Sequence, residues 1–151
     1  MEPKKKKLLC LAGILLCVCV AALWGVWQYL SNYNLKTWYS LQNEKTQQEA
    51  RTQFERYVKL YCEVADYSGQ QAEITAEIVH LTDKILDCSE YSLEFIKLKI
   101  QCDDLLEESK RIGSTIDYNR SQMQQCLSTI EQLGFRGETT YYQIKDILNN
   151  G

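Results

Sequence analysis

The order of apolar and polar residues divides the chain into three regimes. Residues 8–27 are apolar without interruption, twenty in a row. A helix of that length rises about 30 Å, the hydrocarbon thickness of a bilayer. Inside that slab every backbone polar group must be paired within the segment, so the run predicts one transmembrane helix over residues 8–30. Residues 31–52 form the second regime. Gln42 through Glu49 carry no apolar side chain, and their Glu, Gln and Lys content predicts a polar helical stalk. The third regime, 53–134, returns to apolar residues at helical spacing and predicts a coiled-coil or helical ectodomain. Phe54, Tyr57, Val58, Tyr61, Val64 and Ala65 share one face.

Two features punctuate that ectodomain. At residues 66–71, Ser68 and Gln71 have the spacing of a capping box around Gly69, which predicts a break. Beyond it, Ile74, Leu81, Cys88, Phe95, Cys102, Ser109, Ile116, Met123 and Ile130 recur every seven residues. Ile78, Ile85, Leu106 and Leu127 fill the companion positions, with Ser92, Lys99, Gly113 and Arg120 as interruptions. Apolar residues alternating four and three apart make a coiled-coil seam, which another helix must cover. The chain has turn candidates at residues 88–92 and 113–115. Residues 93–100 read alone as a strand, but no partner strand is patterned elsewhere, so helix is expected. Gly134 should end the main helix. A short amphipathic helix over 138–149 then sets Tyr141, Ile144 and Leu148 on one side. The expected fold is all-α: one N-terminal transmembrane helix followed by an extended ectodomain, either a parallel dimer or a helical hairpin.

Charge sets the orientation. Residues 1–7, a basic cytosolic tail, hold four of the 17 basic groups and one of the 20 acidic ones. The chain beyond residue 30 therefore carries 13 basic and 19 acidic groups. Lysines flanking a membrane helix prefer the cytosol, so Lys4 to Lys7 predict a type II topology with the C-terminus extracellular or luminal. An acidic ectodomain gives no electrostatic footprint for nucleic acid. A cleaved signal peptide is the competing reading, with Val20-Ala21-Ala22 before the cut. Its apolar core is normally 7–15 residues, shorter than this run. Gly13, Cys17, Ala21 and Gly25 repeat at four-residue spacing and mark a close helix–helix contact in the membrane. Cys10 is a palmitoylation candidate. Asn119-Arg120-Ser121 is a sequon, making Asn119 a glycosylation candidate.

Four of the seven cysteines fall in the ectodomain: Cys62, Cys88, Cys102 and Cys126. On the oxidising side of a membrane they are disulfide candidates. Two arrangements compete. The pairs Cys62–Cys126 and Cys88–Cys102 are both nearly symmetric about residues 94–95, as an antiparallel hairpin requires. Cys88 and Cys102 also hold equivalent seam positions, where a parallel homodimer sets each thiol against its own copy. The parallel dimer is preferred, because a turn between those residues would cut the most apolar stretch outside the membrane.

Catalytic chemistry is absent from the pattern. The one histidine, His80, stands beside Glu77, Asp83 and Lys84, an ion-pair lattice rather than a metal site. Asp103-Asp104 and Glu107-Glu108 read as a solvated face. With no phosphate loop, nucleophile triad or Cys-x-x-Cys, neither an enzyme nor a bound cofactor or metal is expected. The layout resembles that of tetherin-type proteins: a short cytosolic tail, one membrane helix and a cysteine-bearing helical ectodomain. The resemblance is architectural; the C-terminus lacks a lipid-anchor tail and no functional residue carries over. The expected function is a membrane-anchored, non-catalytic helical interaction module, for adhesion, tethering or association with a receptor. Its partners would be the bilayer, a second copy and another protein met by the ectodomain. The alternative is a secreted, disulfide-braced helical signalling protein.

Overall fold

The computed structural model describes residues 18–28 and 34–150, and all regular structure among them is helical. Residues 18–28 are one helix, exposed along its whole length, with Trp24 and Trp27 in ring contact at 6.0 Å. Four further helices come after it: α1 (Leu35–Leu41), α2 (Glu44–Asp87), α3 (Leu93–Gln132) and α4 (Tyr141–Asn150). No helix among the described residues is long and apolar enough to cross a membrane. The tail 1–7 and residues 8–17 and 29–30 of the expected transmembrane helix lie outside the described residues.

The described residues form two compact units, residues 18–28 and 34–50 with 130–150, and residues 51–129. In the first, the sequence writes each helix end. Asn34 caps α1 by accepting from Lys36 N at 3.1 Å and Thr37 N at 3.3 Å. Asn43 caps α2 through Thr46 N at 2.9 Å. Gly134, at φ 105°, closes α3: its N–H bonds Glu131 O, and Phe135 N–H reaches Ile130 O. That is a Schellman motif, and its apolar partners Ile130 and Phe135 are both fully buried. Thr140 and Gln143 then exchange backbone and side-chain bonds at the start of α4, a reciprocal capping box.

These ends gather a small core. Leu35, Trp38, Phe135, Ile144 and Ile147 are buried, with the Trp38 and Phe135 rings 5.5 Å apart. The expected polar stalk is thus interrupted at residues 42–43, and its first helix buries Leu35 and Trp38. Lys36 Nζ bonds Asp146 Oδ2 at 2.8 Å across this unit and holds that carboxyl below the usual carboxylate range. The pair is exposed, so it orients α4 more than it stabilises it.

In the second unit α2 and α3 pack antiparallel as a long hairpin. Three contacts give the register: Arg56 with Gln122, Glu63 with Asn119, and Gln71 against Gly113. All three pairs are symmetric about the turn at residues 88–92. Ser92 starts α3 there, its Oγ accepting from Phe95 N at 3.1 Å. The burial on α3 runs through Phe95, Leu98, Cys102, Leu105, Ser109, Ile112, Ile116, Asn119, Met123 and Cys126, all buried or half-buried, at strict three–four alternation. On α2 the matching row is Tyr57, Leu60, Val64, Tyr67, Gln71, Ile74, Ile78, Leu81 and Ile85, continued by Cys88 just past its end.

Two expectations are corrected by this register. No break occurs at residues 66–71: α2 runs through, and Ser68 Oγ donates to Val64 O at 2.7 Å instead of capping a new helix. Gly113 is no stop either. Its missing Cβ leaves room for Gln71, whose Nε2 would lie 3.4 Å from a Cβ placed there. The seam, finally, is covered within the chain, the hairpin arrangement of the two expected. The physical reason is the companion row: Leu98, Leu105 and Ile112 lie on the buried side of α3, whereas Lys99, Leu106 and Arg120 are exposed.

Candidate interaction surface

The hairpin is unevenly sealed. Toward its open end Ile112, Ile116 and Cys126 of α3 and Phe54 and Tyr57 of α2 are buried. Toward the turn the same rows are only half-buried, with Leu81 the exception. Two helices in contact cover each other on one side only, so a seam of modest side chains stays partly open. Apolar residues also point outward there. Leu86 is 77% exposed, Tyr91 95% and Leu93 70%, and on α3 Ile96 and Ile100 are more than half exposed. Five of the eight residues from 93 to 100 are apolar, two on the seam and three on the outer face. A helix apolar on all sides is one that expects a covering layer. The sequence pattern alone hides this surface. Residues 93–100 pose a choice between helix and strand, and that choice does not separate the outward trio Leu93, Ile96 and Ile100 from the inward pair.

The thiols divide by environment. Cys62 is exposed, Cys88 and Cys102 half-buried, and Cys126 is 1% exposed. None of these four is bonded to another. The register explains it. Glu63 sits level with Asn119, so Cys62 is level with about residue 120, and Cys126 lies about 9 Å farther along α3. Cys102 is level with about residue 80, more than roughly 10 Å from Cys88 along α2. A disulfide needs Cα atoms within about 7 Å, so neither hairpin pairing is reachable. Burial pushes the Cys126 thiol up, partly opposed by Arg56, and also raises Tyr57, helped by Tyr61 and Cys126. A raised pKa leaves Cys126 as neutral thiol near pH 7, the unreactive form. Under native conditions Cys62 should therefore alkylate readily with iodoacetamide and Cys126 only on unfolding. Mass mapping of the labelled peptides checks this, and equal rates at both sites would contradict it.

Asn119 occupies a seam position at 6% exposure, its Nδ2 donating to Glu63 Oε2 at 3.2 Å. That hydrogen bond engages the nitrogen to which a glycan would be attached, and the amide suits the register as a polar group in an apolar seam does when only one alignment satisfies it. His80, Asp103, Asp104, Glu107 and Glu108 are exposed, and no cluster of metal-ligating side chains occurs among the described residues. Of the membrane-contact residues, Ala21 and Gly25 lie on the helix at 18–28, and a Cβ at Gly25 would meet nothing within 4 Å. Cys10, Gly13 and Cys17 lie outside the described residues.

Comparison with protein families, curated proteins and solved structures found no match to this chain.

Proposed function

We propose that this chain is a type II single-pass membrane protein whose helical hairpin acts as a non-catalytic interaction module on the extracellular or luminal side. The observation that carries the module reading is the turn-proximal half of the hairpin, with Leu93, Ile96 and Ile100 outward over a half-open seam. Exposed apolar surface in a contiguous patch marks a binding face. The anchor reading rests on twenty apolar residues behind four lysines. Adhesion, tethering and association with a receptor all fit a helical hairpin that ends in an apolar tip. The secreted, disulfide-braced alternative loses support from the cysteine register, which leaves no intrachain brace within reach.

Two measurements test the proposal. Full-length protein should stay in the pellet when membranes are extracted with carbonate, and a mature chain beginning near Leu23 in the medium would overturn the anchor. Protease added outside intact cells should destroy a C-terminal tag and spare an N-terminal one. The reverse pattern would overturn the topology.

A further inference from the structure

We propose that the outward face of α4 docks on the headgroup layer of the bilayer that holds this chain's own apolar segment. The inference rests on the anchor in the proposed function and adds a second membrane contact to it. The last turn of α3 brings the chain back to the first unit, so α4 packs beside α1, the helix that follows the apolar run. Leu35 and Trp38 of α1 and Ile144 and Ile147 of α4 are buried, and Lys36 Nζ ties the two helices through Asp146 Oδ2 at 2.8 Å. From Gln28, in the helix that ends the apolar run, to Asn34, the cap of α1, the chain reaches at most about 20 Å. Packed helices lie about 10 Å apart, so α4 stays within about 30 Å of the anchor's end. A tether that short gives an effective concentration in the millimolar range, at which a face too weak to bind a membrane by itself still docks.

The chemistry of the face suits that layer. At about 100° per residue, Tyr142, Lys145, Asp146 and Asn149 lie opposite the buried Ile144 and Ile147, with the half-buried Tyr141 at the edge. Tyr142 is 78% exposed, and its ring meets Tyr141 edge-on with the centroids 5.5 Å apart. Lys145 Nζ stands 5.6 Å from the centre of the Tyr141 ring. A tyrosine with its phenol at the tip and a lysine on an apolar stem are side chains that settle between hydrocarbon and water. Trp24 and Trp27, at the end of the apolar run, belong to the same belt. The one carboxylate of α4, Asp146, is matched by Lys36, so the helix offers Lys145 to lipid phosphates with no uncompensated acid of its own. Glu138 is exposed but lies ahead of the capping Thr140, outside the helix. The outward face carries no aliphatic side chain, which fits a headgroup layer and not the apolar core of a protein interface.

The test places the full chain, labelled with fluorotyrosine, in phosphatidylcholine nanodiscs with and without a lipid that carries a nitroxide on its headgroup. Tyr141→Phe and Tyr142→Phe each delete one line of the fluorine spectrum and so assign it. Both lines should broaden beyond detection when the nitroxide lipid is present. Tyr142→Ser with Lys145→Glu should restore most of the Tyr141 line at unchanged helicity, since both replaced side chains are exposed. A Tyr142 line that stays sharp beside the nitroxide, or a Tyr141 line as broad in the double variant as in the wild type, would overturn the docking. The anchor is read separately, by carbonate extraction. A chain that pellets and enters the discs yet keeps Tyr142 sharp overturns the docking and leaves the anchor intact, whereas a chain that does not pellet overturns the anchor and the docking with it.

Discussion

Gly69→Ala should stabilise the protein by about 1 kcal/mol, and Gly69→Pro should destabilise it by about 3 kcal/mol or more. Gly69 lies well inside α2, exposed, and a Cβ there would meet nothing within 4 Å. Its φ is not positive, the one positive-φ glycine described being Gly134. Alanine therefore gains helix propensity without strain. Proline removes the N–H that bonds back one turn, and its ring strikes the carbonyl of Ala65. Equilibrium unfolding of the full chain in detergent reads both. Were residues 66–71 a turn, proline would be tolerated and alanine neutral, so that pair of results would refute a continuous α2.

The continuity of α2 at Gly69 shows what local signals can and cannot decide. Ser68, Gly69 and Gln71 have the chemistry of a helix start, and an isolated peptide would use it. In the hairpin the row Val64, Tyr67, Gln71, Ile74 keeps an unbroken phase against α3, and that packing outweighs one glycine. The apolar face that sequence spacing suggests includes Tyr61 and Ala65, which are exposed, and omits Leu60 and Tyr67, which are half-buried. Tyr and Gln are ambiguous letters in a hydrophobic pattern, because each presents apolar area together with a polar end. A helix end is legible where its geometry is nearly obligatory, as at the left-handed C-cap Gly134. The last helix is legible from the spacing of Tyr141, Ile144 and Leu148, and it runs Tyr141–Asn150 behind a Thr140–Gln143 capping box that the spacing does not show.

The candidate surface is legible only in part, for a related reason. A heptad row at 74, 81, 88 and onward to 130 fixes one edge of a stripe, and its partner lies either three or four residues further on. Choosing four continues α2 straight into α3 and meets Ser92, Lys99, Gly113 and Arg120. Choosing three from Phe95 meets Leu98, Leu105, Ile112, Asn119 and Cys126. The two choices differ by a one-residue phase change at the turn, and on α3 the second row is the one that is buried or half-buried. It also leaves Ile96 and Ile100 exposed on the outer face of α3. The cysteine symmetry about residues 94–95 points to a hairpin but misses its axis by a few residues, enough to leave every thiol out of reach.

That phase can be measured directly. Ile112→Asp should cost about 3 kcal/mol or more, whereas Leu106→Asp should change stability by no more than about 1 kcal/mol. Ile112 is 8% exposed in the α2–α3 seam, and Leu106 is 40% exposed. A carboxylate at residue 112 would be held against α2 without a basic partner in the seam, and burying an unpaired charge is among the few single changes with effects that large. At residue 106 the same carboxylate reaches water, with Asp103 one turn before it and Lys110 one turn after, so its charge interactions are screened and opposed. Guanidinium unfolding of the full chain in detergent, monitored by helicity, separates the two. Equal losses, or a larger loss at residue 106, would return the seam to the row of Leu106, Gly113 and Arg120. That row suits a helix running straight on past residue 92, so the hairpin itself would have to be given up.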